Sequence, residues 1–269
     1  MGESENEQKE QIAAVFGRAA PTYDRTGRFA YFGRRLVAAV GLAPGARVLD
    51  VASGRGAILF PAAEQVGAGG KVIGIDLSEP MVKATAVEVQ RRGLSQAEIL
   101  CMDAERLTFP GASFDAVLCG FSIQYFPRLE RTLSEFRAML RSGGLFAFSS
   151  WGQGDPRWRR LQELRRSYGV GESLGGTRLR QPADLELVLQ KSGFEPVSAW
   201  IDEAEFTFSS EVEWWEDLWS SGPRAGLERL DSDTRERFQR EAFELLQELR
   251  TPNGFAERRQ AILGRGVNP

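Results

Sequence analysis

The sequence predicts an α/β fold organised around a doubly wound parallel sheet. Three observations carry this. Short apolar runs alternate with helical stretches between residues 47 and 151. A glycine-bearing turn, "DVASGRG", follows the first of those runs. Acidic residues stand at or near the ends of three successive runs, at Asp50, Asp76 and Asp103. Strands alternating with helices at this spacing build parallel sheets covered on both faces.

Each element has its own local signal. Residues 8–20 place Ile12, Val15, Phe16 and Ala19 at helical spacing, and Pro21 ends the pattern. A second helix, "FAYFGRRLVAAVG", stops at Gly41. "RVLDVA" (47–52) is the first strand. "AILFPAAEQVG" reads as a helix with Pro61 in its first turn or at a break. "KVIGIDL" (71–77) is the second strand, followed by a helix from "SEPMV" to Gly93 with Ser78 as N-cap and Glu79 and Pro80 in its first turn. "AEILCMD" (97–103) and "FDAVLCGFS" (114–122) are the third and fourth strands. "RTLSEFRAMLRSGG" is a helix closed by glycine, and "LFAFSSW" (145–151) is the fifth strand.

Beyond Trp151 the rhythm loosens. "DPRWRRLQELRRSYG" is a basic amphipathic helix and "QPADLELVLQKSGF" a helix with a glycine stop. "EPVSAWIDEAEFTF" (195–208) alternates like an exposed strand. "SEVEWWEDLW" and "DTRERFQREAFELLQELR" are helical, and "RQAILGRG" (259–266) closes the chain as a strand.

Composition narrows the function. A net charge of −3 gives no basic face for sequence-independent binding of nucleic acid. No apolar run approaches the roughly 18 residues of a membrane span. The acidic opening "MGESENEQKE" is unlike a secretory signal, which points to a cytoplasmic protein. Cys101 and Cys119 sit in apolar runs and read as reduced core residues. The chain has no histidine, which excludes an imidazole base, a Ser-His-Asp triad and a histidine-ligated zinc. No metal site is expected.

In doubly wound sheets, ligands bind beyond the carboxyl ends of the strands. Gly54 and Gly56 stand there and allow close backbone approach, although any tight strand-to-helix turn uses glycine. A dinucleotide loop needs a third glycine three residues after the second, and that position is Leu59. Asp76, 22 residues after Gly54, can accept both hydroxyls of a ribose. Asp103 can accept from an adenine amino group while Met102 and Leu77 pack on the ring. Each Asp alone also serves as a cap or turn residue. Together they suit adenosine joined to a cationic group.

With these residues in place, the chain resembles the class I S-adenosylmethionine-dependent methyltransferases, and most closely the small-molecule group related to ubiquinone and menaquinone C-methyltransferases. "VLDVASGRG", "GKVIGIDLSEPMV", "MDAERLTFPGASFDAVLCGFSIQYFP" and "MLRSGGLFAFSSW" match that family's successive motifs in order. The resemblance is strongest over residues 45–150. It implies a Rossmann-like seven-stranded sheet whose last strand is antiparallel and lies beside the sixth. It also implies an N-terminal helical cap (1–44), a cofactor-binding core (45–150), and a C-terminal part (151–269) whose helical insertions after strands five and six form an acceptor lid.

The resemblance also implies roles. Asp50 would orient the loop and favour the ammonium end of the cofactor. Ala52, Ser53, Gly54 and Gly56 would line its methionine part. Asp76 would hold the ribose, with Leu77 and Met81 beside the adenine and Asp103 and Ala104 at its edge. Cys119 and Phe121 would lie near the methionine end. Tyr23, in "AAPTYD", would fold over the cofactor or pack as an ordinary cap residue. Ala52 stands where the commonest loop has its first glycine, and Gln124 and Tyr125 stand where many relatives carry histidines.

The implied reaction is in-line methyl transfer to a small, apolar or aromatic acceptor. No residue type singles out a base. Tyr31, Phe32, Gln124, Tyr125 and Trp151 are acceptor-lining candidates, with Phe126, Trp158, Trp214, Trp215 and Trp219 as further aromatics of the caps and insertions. "WWEDLW" also reads as a helix burying Trp215 and Trp219. Arg157, Arg159, Arg160, Arg165 and Arg166 could meet an anionic acceptor or form a solvated face. A non-methylating relative, such as a natural-product cyclase, would keep the same cofactor pocket. A monomer or a homodimer fits equally.

Overall fold

A computed structural model describes residues 3–171 and 179–269. The chain opens with α1 (Glu3–Ala19) and α2 (Arg28–Val40). The alternating part follows as β1 (Arg47–Val51), α3 (Leu59–Val66), β2 (Lys71–Asp76), α4 (Glu79–Arg91), β3 (Ala97–Cys101), β4 (Phe114–Gly120), α5 (Leu129–Met139) and β5 (Leu140–Gly154). Then come α6 (Arg159–Ser167), α7 (Pro182–Lys191), β6 (Val197–Phe208), α8 (Glu211–Trp219), α9 (Arg224–Arg229), α10 (Ser232–Gln247) and β7 (Phe255–Val267).

The seven strands form one sheet in the order β3-β2-β1-β4-β5-β7-β6. β1 to β5 pair in parallel, and β7 runs antiparallel between β5 and β6. The seven-stranded, Rossmann-like sheet with an antiparallel last strand is therefore present. Both faces of the sheet are covered, which is why its central strands read as nearly continuous apolar runs. Val48, Leu118 and Ala147 pack toward α2, α3 and α4. Leu49, Val51, Val117, Phe146 and Phe148 pack toward α5 and α7 on the other face. A satellite core gathers α6, α8 and α10 around Trp214, Phe238, Leu218 and Leu246.

Two helix stops work as the sequence suggests, whereas α5 ends at Met139 without a glycine, and Gly143 and Gly144 lie within β5. Gly41 and Gly93 take left-handed φ of 67° and 66°, which glycine adopts without a Cβ penalty. Pro61 lies in the first turn of α3, where its missing N–H breaks no helical bond. Other expectations change. β5 begins at Leu140 and ends at Gly154, because Leu140 pairs with Phe114 and Gly154 with Arg259 across two irregularities. β7 begins at Phe255, paired to Phe208. The six-residue α9 carries too short a pattern to be read in advance. Cys119 is buried, but Cys101 is exposed and so is not a core residue. Strand β3 is a sheet edge, and its last two residues emerge from cover.

Two contacts fasten the N-terminal helices over the carboxyl ends of the strands. Arg28 and Asp217, both buried, form an ion pair between α2 and α8. The Arg28 guanidinium also donates to Ser221 Oγ at 3.0 Å and Thr26 Oγ1 at 2.8 Å. Lys9 of α1 donates to Asp103 at 2.9 Å and pairs with Glu105, just past β3. No helix among the described residues is long and apolar enough to cross a membrane.

Removing one member of a buried pair strands the other charge. Asp217→Ala should therefore lower unfolding free energy by about 3–5 kcal/mol, measured by urea denaturation. The double variant Arg28→Met with Asp217→Ala should recover much of that loss.

Candidate functional site

A cleft of about 460 Å³ opens beyond the carboxyl ends of β1, β2, β3 and β4, roofed by α1 and the segment around Tyr23. Its floor is the turn after β1. Ala52, Gly54 and Gly56 all take left-handed φ, of 53°, 54° and 81°. For Gly54 and Gly56 this is free, whereas Ala52 carries a strain of about 1–2 kcal/mol that the surroundings must hold.

Two aspartates hold it. Asp50 accepts from Ser53 Oγ at 2.6 Å, inside the loop. Asp76, at the end of β2, accepts from the Gly54 N–H at 2.8 Å and from the Ser78 N–H at 2.8 Å. Thr85 Oγ1 donates to the Gly54 carbonyl at 2.8 Å from behind. The turn is thus fixed from three sides, and Gly54 presents its bare Cα to the cleft. A Cβ there would point at the Tyr23 ring, 3.9 Å away.

The aspartates share one electrostatic condition. No cationic side chain among the described residues pairs with either. Burial pushes the Asp50 carboxyl up to about 7, and the Asp76 charge adds to that effect. Burial raises Asp76 as well, partly opposed by its backbone N–H donors.

The structure sorts the expected residues. Tyr23, Ala52, Gly54, Asp76, Leu77, Met81, Met102, Asp103, Ala104 and Phe121 line the cleft. Gln124, Tyr125 and Trp151 line it too, with Phe126. Asp50, Ser53, Gly56 and Cys119 do not. Asp50 lies beneath the loop and is 1% exposed, so it braces the turn rather than touching a ligand. Ser53 turns its hydroxyl down to Asp50. Gly56 faces Phe60. Cys119 points into the core beside Ser122 Oγ, and burial pushes its thiol up to about 12.

Tyr31 and Phe32 are also outside the cleft. The cleft-facing side of their helix is taken by Arg28 and Phe29. Phe32 is wholly buried behind the wall, against Phe121, Trp151 and Phe206, and Tyr31 rests on the outer side against Phe206. Trp158, Trp214, Trp215 and Trp219 belong to the satellite core, where Trp158 and Trp214 are deeply buried and Trp215 and Trp219 only partly so.

Beside the turn, Phe121 holds a left-handed φ of 55°, fixed by Ser149 Oγ accepting from its N–H at 3.1 Å. Its ring stacks on Trp151 with centroids 4.0 Å apart. Tyr23 stacks on Phe29 at 5.1 Å. The same cleft is lined further on by Gln162, Arg165, Val170, Ser221 and Arg259. Burial raises the phenols of Tyr23 and Tyr125, so neither is poised as a base near neutral pH. Sequence reading missed Lys9, Arg28, Phe29, Asp217 and Ser221. Their placement depends on contacts between segments far apart in the chain.

Similarity to known proteins agrees with this geometry. Residues 48–144 match a family model described as a methyltransferase domain. The chain is 34% identical over 242 residues to nocamycin O-methyltransferase of Saccharothrix syringae, covering 82% of this chain and 85% of that protein. It is 42% identical over 144 residues to an aklanonic acid methyltransferase of a Streptomyces species, covering 53% of this chain and 66% of that protein. A solved S-adenosylmethionine-dependent methyltransferase from Aquifex aeolicus shares the fold, with a TM-score of 0.52 at 21% identity over 67% of this chain and 88% of that one.

The raised Asp50 has a pH consequence. Between about pH 4 and 7 the unfolded chain has released this proton while the folded chain retains it, so rising pH lowers stability in that window. Asp50→Asn should flatten the decline by up to about 1.4 kcal/mol per pH unit, read from urea denaturation at a series of pH values. Parallel curves for the two proteins would remove Asp50 as the source.

Proposed function

This chain belongs to the S-adenosylmethionine-dependent methyltransferases that act on small molecules, and on that premise we propose that its cleft methylates an oxygen of a small, largely aromatic acceptor. The observation that carries the reading is the uncompensated acid Asp76 at a turn whose Gly54 bares its backbone and which Asp50 braces from below. A cationic nucleoside fits such a cleft. When bound, S-adenosylmethionine supplies an electrophilic methyl on a sulfonium, and the acceptor oxygen bonds to that carbon as the carbon–sulfur bond breaks and its electron pair goes to sulfur.

The chain's own residues have distinct parts. Each oxygen of Asp76 accepts one backbone N–H and keeps lone-pair capacity for a ribose hydroxyl. Met102, Leu77 and Ala104 offer apolar contact to the adenine face, and Asp103 offers an acceptor at its edge while bound to Lys9. Ala52 and Gly54 border the methionine part. The rings of Tyr23, Phe29, Phe121 and Trp151 offer apolar walls to the reacting groups. Alignment of acceptor and methyl between them can supply much of the rate. Oxygen as the receiving atom is supported by the likeness to nocamycin O-methyltransferase, which extends over most of both chains.

Titration calorimetry with S-adenosylhomocysteine tests the assignment. Asp76→Ala should weaken binding by about 1–3 kcal/mol, the loss of hydrogen bonds to a charged acceptor. Asp76→Asn, which still accepts hydrogen bonds, should lose less. Undiminished binding in both variants would return Asp76 to a turn-bracing role alone.

A further inference from the structure

The arginines of α6 and its lead-in divide between two faces. Arg157 pairs with Asp155 at 2.6 Å and Glu205 at 3.1 Å. Arg159 pairs with Glu163 at 3.9 Å, and Arg160 with Glu248. The arginines of these pairs are exposed, although Asp155 itself is buried. Arg165 is different. It follows the buried Leu161 by four residues, so it shares that inward face of the helix. It lines the same cleft as Asp76 and Trp151.

Arg165 has no hydrogen-bond or ion-pair partner among the described residues, and its Nε is closed off from solvent. Gly171 makes room for it, since a Cβ at that position would stand 2.5 Å from the guanidinium Nη2. The charges around it already pair with one another. Arg28 is bound to Asp217, and Arg259 to Glu257 at 2.7 Å. Among the described residues Arg165 is therefore a surplus positive charge of this cleft, which Arg166 and Arg180 also line. Burial and the Arg259 charge lower its pKa to about 10, which still leaves it protonated at neutral pH. Arg165 is half-buried, yet with its Nε shut off from solvent and no partner among the described residues its charge is unfavourable, and a planar guanidinium suits a bidentate oxyanion. An acceptor ionised on arrival also needs no base, consistent with a chain that has no histidine and whose cleft phenols are raised.

We propose that the acceptor carries an organic oxyanion, a carboxylate or an ionised enol, and that Arg165 is the residue that binds it. The inference rests on the methyltransferase reading for the word acceptor. The oxyanion site itself follows from the cleft's geometry and can be tested without the cofactor.

Calorimetry on the purified chain would compare naphthoate with naphthamide, and lawsone with its methyl ether, with and without S-adenosylhomocysteine. In at least one pair the anion should bind on the order of tenfold tighter or more than its neutral partner. A preference for naphthoate assigns a carboxylate, and one for lawsone an enolate. Arg165→Gln should erase the preference. Arg165→Met should raise the thermal midpoint of the ligand-free chain, because it removes an uncompensated charge. Equal binding within both pairs, a preference that survives Arg165→Gln, or a lower midpoint for Arg165→Met would overturn the proposal. Failure of S-adenosylhomocysteine to bind while the anion preference holds would instead overturn the cofactor reading.

Discussion

The hydrogen bond from the Gly54 N–H to the Asp76 carboxylate joins the end of β2 to the turn after β1, and the site is arranged around it. The same carboxylate caps the Ser78 N–H at the entrance to α4. One side chain therefore sets the spacing of two strand ends and the helix that follows. With Asp50 bracing Ser53 from below, it keeps Ala52 in a conformation that residues with a Cβ avoid. The strain is local, and the parallel pairing of β1 with β2 and β4 supplies the rigidity that sustains it.

From this turn outward, the cleft is electrically polarised. Among the described residues, Asp50 and Asp76 have no cationic partner and Arg165 of α6 has no acidic one. Each is unfavourable in the folded chain by itself. The rings of Tyr23, Phe29, Phe121 and Trp151 line the same cleft. A cationic methyl donor and an anionic acceptor bound there would relieve both conditions. Arg28 and Asp217 hold the roof and the C-terminal insertion together around this space.

The core was legible in the sequence because its signals are local. Apolar runs buried on both faces, glycine stops at Gly41 and Gly93, and an aspartate closing β2 each act within a few residues. The acceptor side was not legible to the same degree. Aromatic residues such as Tyr31, Phe32 and Trp214 carry no mark that separates a cleft wall from a core, and the choice is made by packing against Phe206 or Phe238. The roof contacts of Lys9 and Arg28 join residues more than ninety positions apart. A usable signal did exist at Arg165. Its place one turn beyond Leu161, on the apolar side of a basic helix, sets it apart from Arg157, Arg159 and Arg160. The basic run looked uniform only when read as composition.

A crystal structure of the complex with S-adenosylhomocysteine would test the central assignment most directly. Both ribose hydroxyls should lie within hydrogen-bond distance of Asp76, with the adenine between Leu77 and Met102 and the thioether sulfur facing Phe121 and Trp151. A nucleoside bound away from Asp76, or a thioether directed away from Arg165, would contradict it.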